Sequence, residues 1–266
     1  MLKFLKNWTL PLAMFAGAIG YFLLANVTIL EPAKPFVNWL IAVLTPFLIF
    51  AQLLLTFCKI EPKELLPKAW HVWLLSIQAV SSGIIALLLI FCPMEEAYRD
   101  IFEGAMVCLI CPTATAAAVI TGKLGGSAST LTTYTLLSNV LAAIAVPLVF
   151  PLVEPHADIT FVVAFLKILS KVFPLLLAPF FIALLFRYYI PSVHRLLSKY
   201  HGVAFYLWAV ALTIVTGQTV RSLVTAAADV SIEIMIALAG LATCCLQFYF
   251  GKRIGSAYHD RISAGQ

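Results

Sequence analysis

Eight apolar runs, each long enough to cross a bilayer, set the limits of what this chain can fold into. By number they are 8–30, 36–58, 70–92, 104–122, 127–153, 162–189, 203–226 and 232–250. About 18 consecutive apolar residues suffice to span the hydrocarbon as a helix. The runs are continuous rather than alternating, which excludes a β-barrel, whose strands alternate between lipid and lumen. Composition agrees. Of the 266 residues, 62% are hydrophobic and only 11% charged, against roughly 25% charged in soluble domains. The expectation is an all-α integral membrane protein with eight transmembrane helices in a lipid bilayer. The fourth run is the weakest, at 19 residues with a proline and many small side chains. The N-terminal run resembles a signal peptide, but no small-x-small cleavage site leads into a soluble domain, so a retained first helix is expected.

Basic residues orient these spans. With the N-terminus cytoplasmic, the inner segments hold Lys3, Lys6, Lys59, Lys63, Lys68, Lys123, Arg187, Arg195, Lys199, Lys252, Arg253 and Arg261, twelve in all. The outer segments hold three, Lys34, Arg99 and Arg221. That bias predicts a multi-pass protein of the cell inner membrane with its N-terminus inside. Net charge is +5, and in a membrane chain it reports orientation, not a nucleic-acid partner. Lys167 and Lys171, four apart near the outer end of the sixth span, are expected to extend toward the interface. Glu95, Glu96, Asp100 and Glu103 read as a solvated outer loop, and Asp229 and Glu233 as interfacial.

One strip departs from the greasy background. From Thr113 to Thr133, 16 of 21 residues are Gly, Ala, Ser or Thr. Such a helix packs closely and breaks at membrane depth, turning hydroxyls and freed backbone groups inward. Pro112 removes a donor and frees a carbonyl one turn earlier. A break there would aim the N-terminus of a half-helix, with its partial positive charge, at a solute. Thr113, Thr115 and Thr121 line the same stretch. In the fifth span Thr135, Ser138 and Asn139 share a helix face. Gln78, mid-span in the third run, offers an amide oxygen suited to sodium or to a hydrogen bond between helices. Close packing of helices through small residues explains the strip equally well. Gly125, Gly126 and Ser127 form a tight turn between the fourth and fifth spans, with no phosphate-loop signature.

Enzyme chemistry finds no footing. There is no Ser-His-Asp order, no HExxH and no metal cluster. His71, His156, His194, His201 and His259 all fall near span ends and read as solvated. Cys108 and Cys111 form a CxxC without a second pair and read as buried packing residues. No catalytic residue, resident metal or cofactor is expected.

The order of these features resembles the first half of the bile acid:sodium symporter family. A mid-span Gln78 precedes CPTATAAAVIT at Cys111 to Thr121, then a short basic and glycine turn, then a Thr/Ser-rich helix with Pro147. The resemblance is specific across 111–147 and rests elsewhere on span order. It implies inverted five-helix repeats, with broken helices crossing near mid-membrane and a core body moving against a panel to alternate access. A small organic anion would be the substrate and sodium ions the coupling partners. Carried over by position, Thr113 and Thr115 become substrate contacts, and Gln78, Thr135 and Ser138 become ion ligands. The family's Ser-Asn pair is Ala117-Ala118 here, which removes two ion-binding side chains. The first repeat would occupy 1–153. The second, 154–266, would hold three helices and a polar tail, an incomplete repeat in a truncated chain. The alternatives are a non-transporting membrane protein and a related arsenite- or auxin-type carrier.

Overall fold

A computed structural model describes residues 8–59, 66–154, 159–199, 203–225 and 230–265. Lys3, Lys6, Lys63, His156, His201 and Asp229 lie outside the described residues, as do the side chains of Thr115 and Lys123. The described chain is α-helical, with no strand among its described residues. Among the described residues, seven helices are long and apolar enough to cross a membrane, which makes this a multi-pass membrane protein. The chain divides into two compact units, Met1–Lys59 with Phe186–Ala227, and Ile60–Leu185 with Ala228–Gln266. A packing boundary and a repeat boundary are different quantities, and these units cut across the 1–153 and 154–266 halves.

The first unit contains α1 (Thr9–Asn26), a 3-10 turn (Thr28–Ala33), α2 (Lys34–Lys59), α8 (Pro191–Lys199) and α9 (Val203–Thr225). Pro32 sits in the turn that ends one crossing and starts the next. Helices in lipid gain little from apolar burial, because the tails are as apolar as leucine, so close backbone approach decides their packing. α1 and α9 use glycine for that approach. A Cβ on Gly17 would be driven into the Thr213 carbonyl, and one on Gly217 would come within 3.0 Å of the Gly17 carbonyl. α8 is short and strongly two-faced, and Ser198 on it donates to the Cys58 carbonyl of α2 at 2.9 Å.

The second unit holds α3 (Ala69–Phe91), α4 (Glu96–Ile110), α5 (Thr115–Lys123), α6 (Ala128–Val153), most of α7 (Phe161–Tyr189), α10 (Val230–Ala257) and the single turn α11 (Arg261–Ala264). α3 packs on α4 and α6, α4 on α10, and α5 on α6. Ala86, Leu89, Met106 and Val153 form one buried cluster, supported by Phe102 and Val149.

Two expectations are corrected here. The described residues hold seven long apolar helices, not eight: the expected fourth span, 104–122, is two shorter helices, α4 and α5, separated by a non-helical stretch at 111–114. Its first half also begins earlier, at Glu96. Glu96, Asp100 and Glu103 are therefore helical, not loop. An acid in a first turn complements the helix dipole. Arg99 pairs with Glu103 one turn on, at 2.8 Å, and also donates to the Val153 carbonyl, so the start of α4 is tied to the end of α6.

The segment after the eighth run is likewise more structured than a polar tail. α10 continues to Ala257, and the chain then doubles back through His259, whose φ is 55°. The residues after it seat on glycines of α10. A Cβ on Gly251 would strike the Ala264 carbonyl, and one on Gly255 would lie 2.7 Å from the Ala264 Cβ. Ser263 and Ala264 are buried in consequence.

Candidate functional site

The break in the fourth crossing follows from Pro112. Proline disfavours helical geometry in the residue before it, and Cys111 accordingly adopts φ −58° and ψ 133°. Ala114, at φ −64° and ψ 137°, is extended as well, and α5 restarts at Thr115. Ala114 supplies no side-chain cap, so α5 presents its amide end without help from that residue.

Gln78 of α3 meets the other side of the break. Its Nε2 donates to the carbonyls of Ile110 at 3.1 Å and Cys111 at 3.2 Å. These belong to the carbonyls that lose helical partners when α4 stops. Ser138 of α6 donates to Gln78 Oε1 at 3.2 Å. One buried amide thus joins α3, the end of α4 and α6. Two of the expected ion-binding residues, Gln78 and Ser138, are in direct contact.

The polar face of α6 is buried. Thr135, Ser138 and Asn139 are all nearly inaccessible. Thr132, Thr133 and Thr135 turn their hydroxyl protons onto carbonyls four residues back, at 2.8, 3.1 and 3.0 Å. That leaves their oxygen lone pairs as acceptors, the property a hard cation requires. Two polar atoms here, Asn139 Nδ2 and Thr121 Oγ1, are buried without a hydrogen-bond partner. Thr113 in the break hydrogen-bonds Tyr134 of α6. Thr115 begins α5, while its side chain lies outside the described residues. Among the described residues, no three His, Cys, Asp or Glu side chains gather as a metal site.

Sequence reasoning missed Tyr134 and His71. Tyr134 interrupts a run of threonines, and that interruption was the available signal. His71 was expected to be solvated, and it is fully buried. Its Nδ1 accepts the Lys68 backbone N–H at 3.0 Å, closing the first turn of α3, and its ring clusters with those of Trp70, at 4.0 Å, and Tyr134, at 6.0 Å, which are themselves 5.7 Å apart. Packing of the turned-back tail covers this end of α3, because Trp70 and Leu74 cluster with Ala264. The reading of Cys108 and Cys111 as buried is also corrected, since Cys111 is exposed and Cys108 partly so. The chain leaves the helix at Cys111, which turns that side chain out of the packed interior.

The tail also reaches the α5–α6 turn. Gly125 has φ 85°, a conformation that glycine adopts without strain. Ser127 then caps α6 and donates its N–H to Ser263 Oγ at 3.0 Å. Asp260 accepts from Lys68 Nζ at 2.7 Å and from Trp70 Nε1 at 3.3 Å. Burial alone would raise the Asp260 carboxyl, but hydrogen bonds from Lys68, Ser263 and Trp70, with the Lys68 charge, hold it below the usual carboxylate range. A carboxyl lowered by folding stabilises the docked tail above its unfolded value, and that contribution is lost as pH falls through the folded value. Protection of the Ser127 amide, read as exchange relative to the intrinsic rate at each pH, should therefore hold at neutral pH and fall on acidification as the Asp260 carboxylate takes up its proton. Asp260→Asn should remove that acid dependence and loosen the tail at neutral pH. Lys68 is 46% exposed, so the ion pair itself contributes under about 1 kcal/mol, and most of the effect should come through Trp70 and Ser263.

Comparisons with models of known protein families and with curated proteins find no match.

Proposed function

We propose that the protein is a secondary carrier of the bile acid:sodium symporter type, moving a small organic anion across the bacterial inner membrane by alternating access, with its N-terminus cytoplasmic. The observation that carries this reading is the interrupted fourth crossing with Gln78 bonded to its freed carbonyls. Non-helical backbone at membrane depth is tolerated where protein buries it or where it lines a cavity. Carriers use such half-helices for solutes, with amide ends facing anions and oxygen-rich ends facing cations. In this reading Thr113 and Thr115, beside the start of α5, contact the substrate. Gln78 Oε1, Thr135 Oγ1 and Ser138 Oγ, all neutral oxygens, hold sodium.

Two further features support it. Each compact unit draws helices from both halves of the chain, as two interlocked inverted repeats require. The unpartnered Thr121 Oγ1 is an oxygen that a bound ion or solute would complete, and the unpartnered Asn139 Nδ2 is a donor suited to an acceptor atom of the solute.

A second reading, a non-transporting membrane protein, has its own observation. Ala117 and Ala118 bring no ligand atoms to α5, and the Gln78 amide is already engaged at both its nitrogen and its oxygen. Proteoliposomes holding the full chain separate the two. The carrier reading expects a sodium gradient to drive uptake of taurocholate or of a smaller carboxylate, with Thr135→Val lowering the apparent sodium affinity by on the order of tenfold, about 1.4 kcal/mol. Equal, gradient-independent permeation with and without the protein would favour the non-transporting form. Uptake of arsenite or indole-acetate alone would favour an arsenite- or auxin-type carrier.

A further inference from the structure

The first unit contains a cavity of about 520 Å³ between α1, α2 and α9. We propose that this cavity is a binding site for an amphiphile with an anionic head, and that it seats one acyl chain of that amphiphile. The inference does not rest on the carrier reading, which concerns the other unit.

The cavity has two chemically distinct ends. At the end beside the Thr28–Ala33 turn it is lined by Lys34 and Asn38 of α2 and by Gln218 and Arg221 of α9. Arg221 donates to Asn38 Oδ1 at 2.9 Å, across from one helix to the other, so the guanidinium is held at the cavity mouth. That bond uses a neutral acceptor and leaves the cationic charge uncompensated by it. Lys34 is partly offset by Glu31 at 3.4 Å, which makes Arg221 the main anion-binding group. Guanidinium presents a planar fork of donors suited to carboxylate and phosphate oxygens. Farther from the turn the walls are aliphatic and glycine-lined, among them Ala16, Gly17, Ile41, Ala42 and Ile214.

The floor and the opening come from two glycines three residues apart on α1. Gly17 sits against α9 with no room for a side chain, which brings the helices together below. Gly20 lines the cavity, and a Cβ there would meet nothing within 4 Å. Close contact at Gly17 and open space at Gly20 make a pocket and not a sealed seam. Its volume falls within the roughly 300–1,000 Å³ of ordinary small-molecule sites. Anionic phospholipids and free long-chain carboxylates share the chemistry that such a site selects.

Native mass spectrometry of the full chain in detergent tests this with two probes offered together, dioleoyl-phosphatidylglycerol and dioleoyl-phosphatidylcholine. The expected result is one retained phosphatidylglycerol, at least about tenfold preferred over phosphatidylcholine, as a charge-assisted bond of about 1.5 kcal/mol or more implies. Arg221→Gln should erase the preference, and Gly20→Phe should fill the cavity and remove retention altogether. Gly20 meets open space and Arg221 is exposed, so both chains should keep the parent's melting temperature, which is measured alongside. Adding dodecanoate assigns the source: displacement of the lipid identifies a free carboxylate as an occupant, and persistence identifies the bilayer lipid. Equal retention of the two lipids overturns the proposal. So does unchanged phosphatidylglycerol retention in both variants.

Discussion

Gln78→Leu should cost this protein both stability and any transport it performs. The side chain bonds the carbonyls of Ile110 and Cys111 and receives the Ser138 hydroxyl. Leucine fits the volume but leaves the buried Ile110 carbonyl and the partly buried Cys111 carbonyl without their donor. Hydrogen bonds between membrane helices average only about 0.6 kcal/mol, because in the membrane-unfolded state the same groups find other partners. Here the acceptors are carbonyls released by a break in their own helix, which carries their helical donors, the N–H groups of Ala114 and Thr115, out of reach. The larger penalty for an unsatisfied buried group applies, roughly 1–3 kcal/mol each, for a total of about 2–6 kcal/mol. A thermal melt of the purified chain should show this loss. Gln78→Glu, protonated at this depth, keeps one donor and should recover about half of it. On the proposed carrier reading, sodium-driven uptake should fall to background in the leucine variant, since the proposed ion ligand and the geometry of the break would be lost together. A leucine variant as stable as the parent would mean that the amide does not hold the break.

Gly17→Val should be the most damaging single change in the first unit. Its Cβ would enter the Thr213 carbonyl, a backbone atom that no rotamer change can move. α1 and α9 would have to separate, forfeiting the close packing that substitutes for hydrophobic burial in lipid. Overpacking of side chains costs about 1–3 kcal/mol, and a clash with backbone should exceed that range. One turn along the same helix the sign reverses. Gly20→Ala meets open space, and alanine is favoured over glycine inside a helix by roughly 0.5–1 kcal/mol. Loss of folded monomer in the first variant, beside a neutral or raised melting temperature in the second, is the expected pair of results from size-exclusion and thermal denaturation. Similar behaviour of the two would remove the close approach at Gly17 from the account.

The crossings were legible because lipid imposes a length, and an apolar run reports that length directly. The expected sixth span, 162–189, and the helix Phe161–Tyr189 differ by one residue. The break was legible for an equally local reason, since Pro112 acts on Cys111 through sterics alone. The acidic stretch before it was misread because polarity suggested a loop, while the dipole and the Arg99–Glu103 pair favour a helix. Burial of His71, the bond from Tyr134 to Thr113 and the tail folded onto Gly251 and Gly255 depend on residues distant in sequence, and no local pattern announces them. The Gly17 contact and the cavity beside it were hidden in the same way, inside an ordinary run of small residues.

Water access to the break is the most direct test of the central proposal, that the chain at 111–114, which leaves the helix, does so to face a polar, solute-accessible space. In a cysteine-free background, single changes Thr113→Cys and Ala114→Cys would be exposed to a membrane-impermeant thiosulfonate, with Leu87→Cys on the exposed face of α3 as the lipid-facing control. The account predicts rapid modification at 113 and 114, slowed by sodium or substrate, and none at 87. Positions 113 and 114 that stay as inert as 87 under every condition would contradict it.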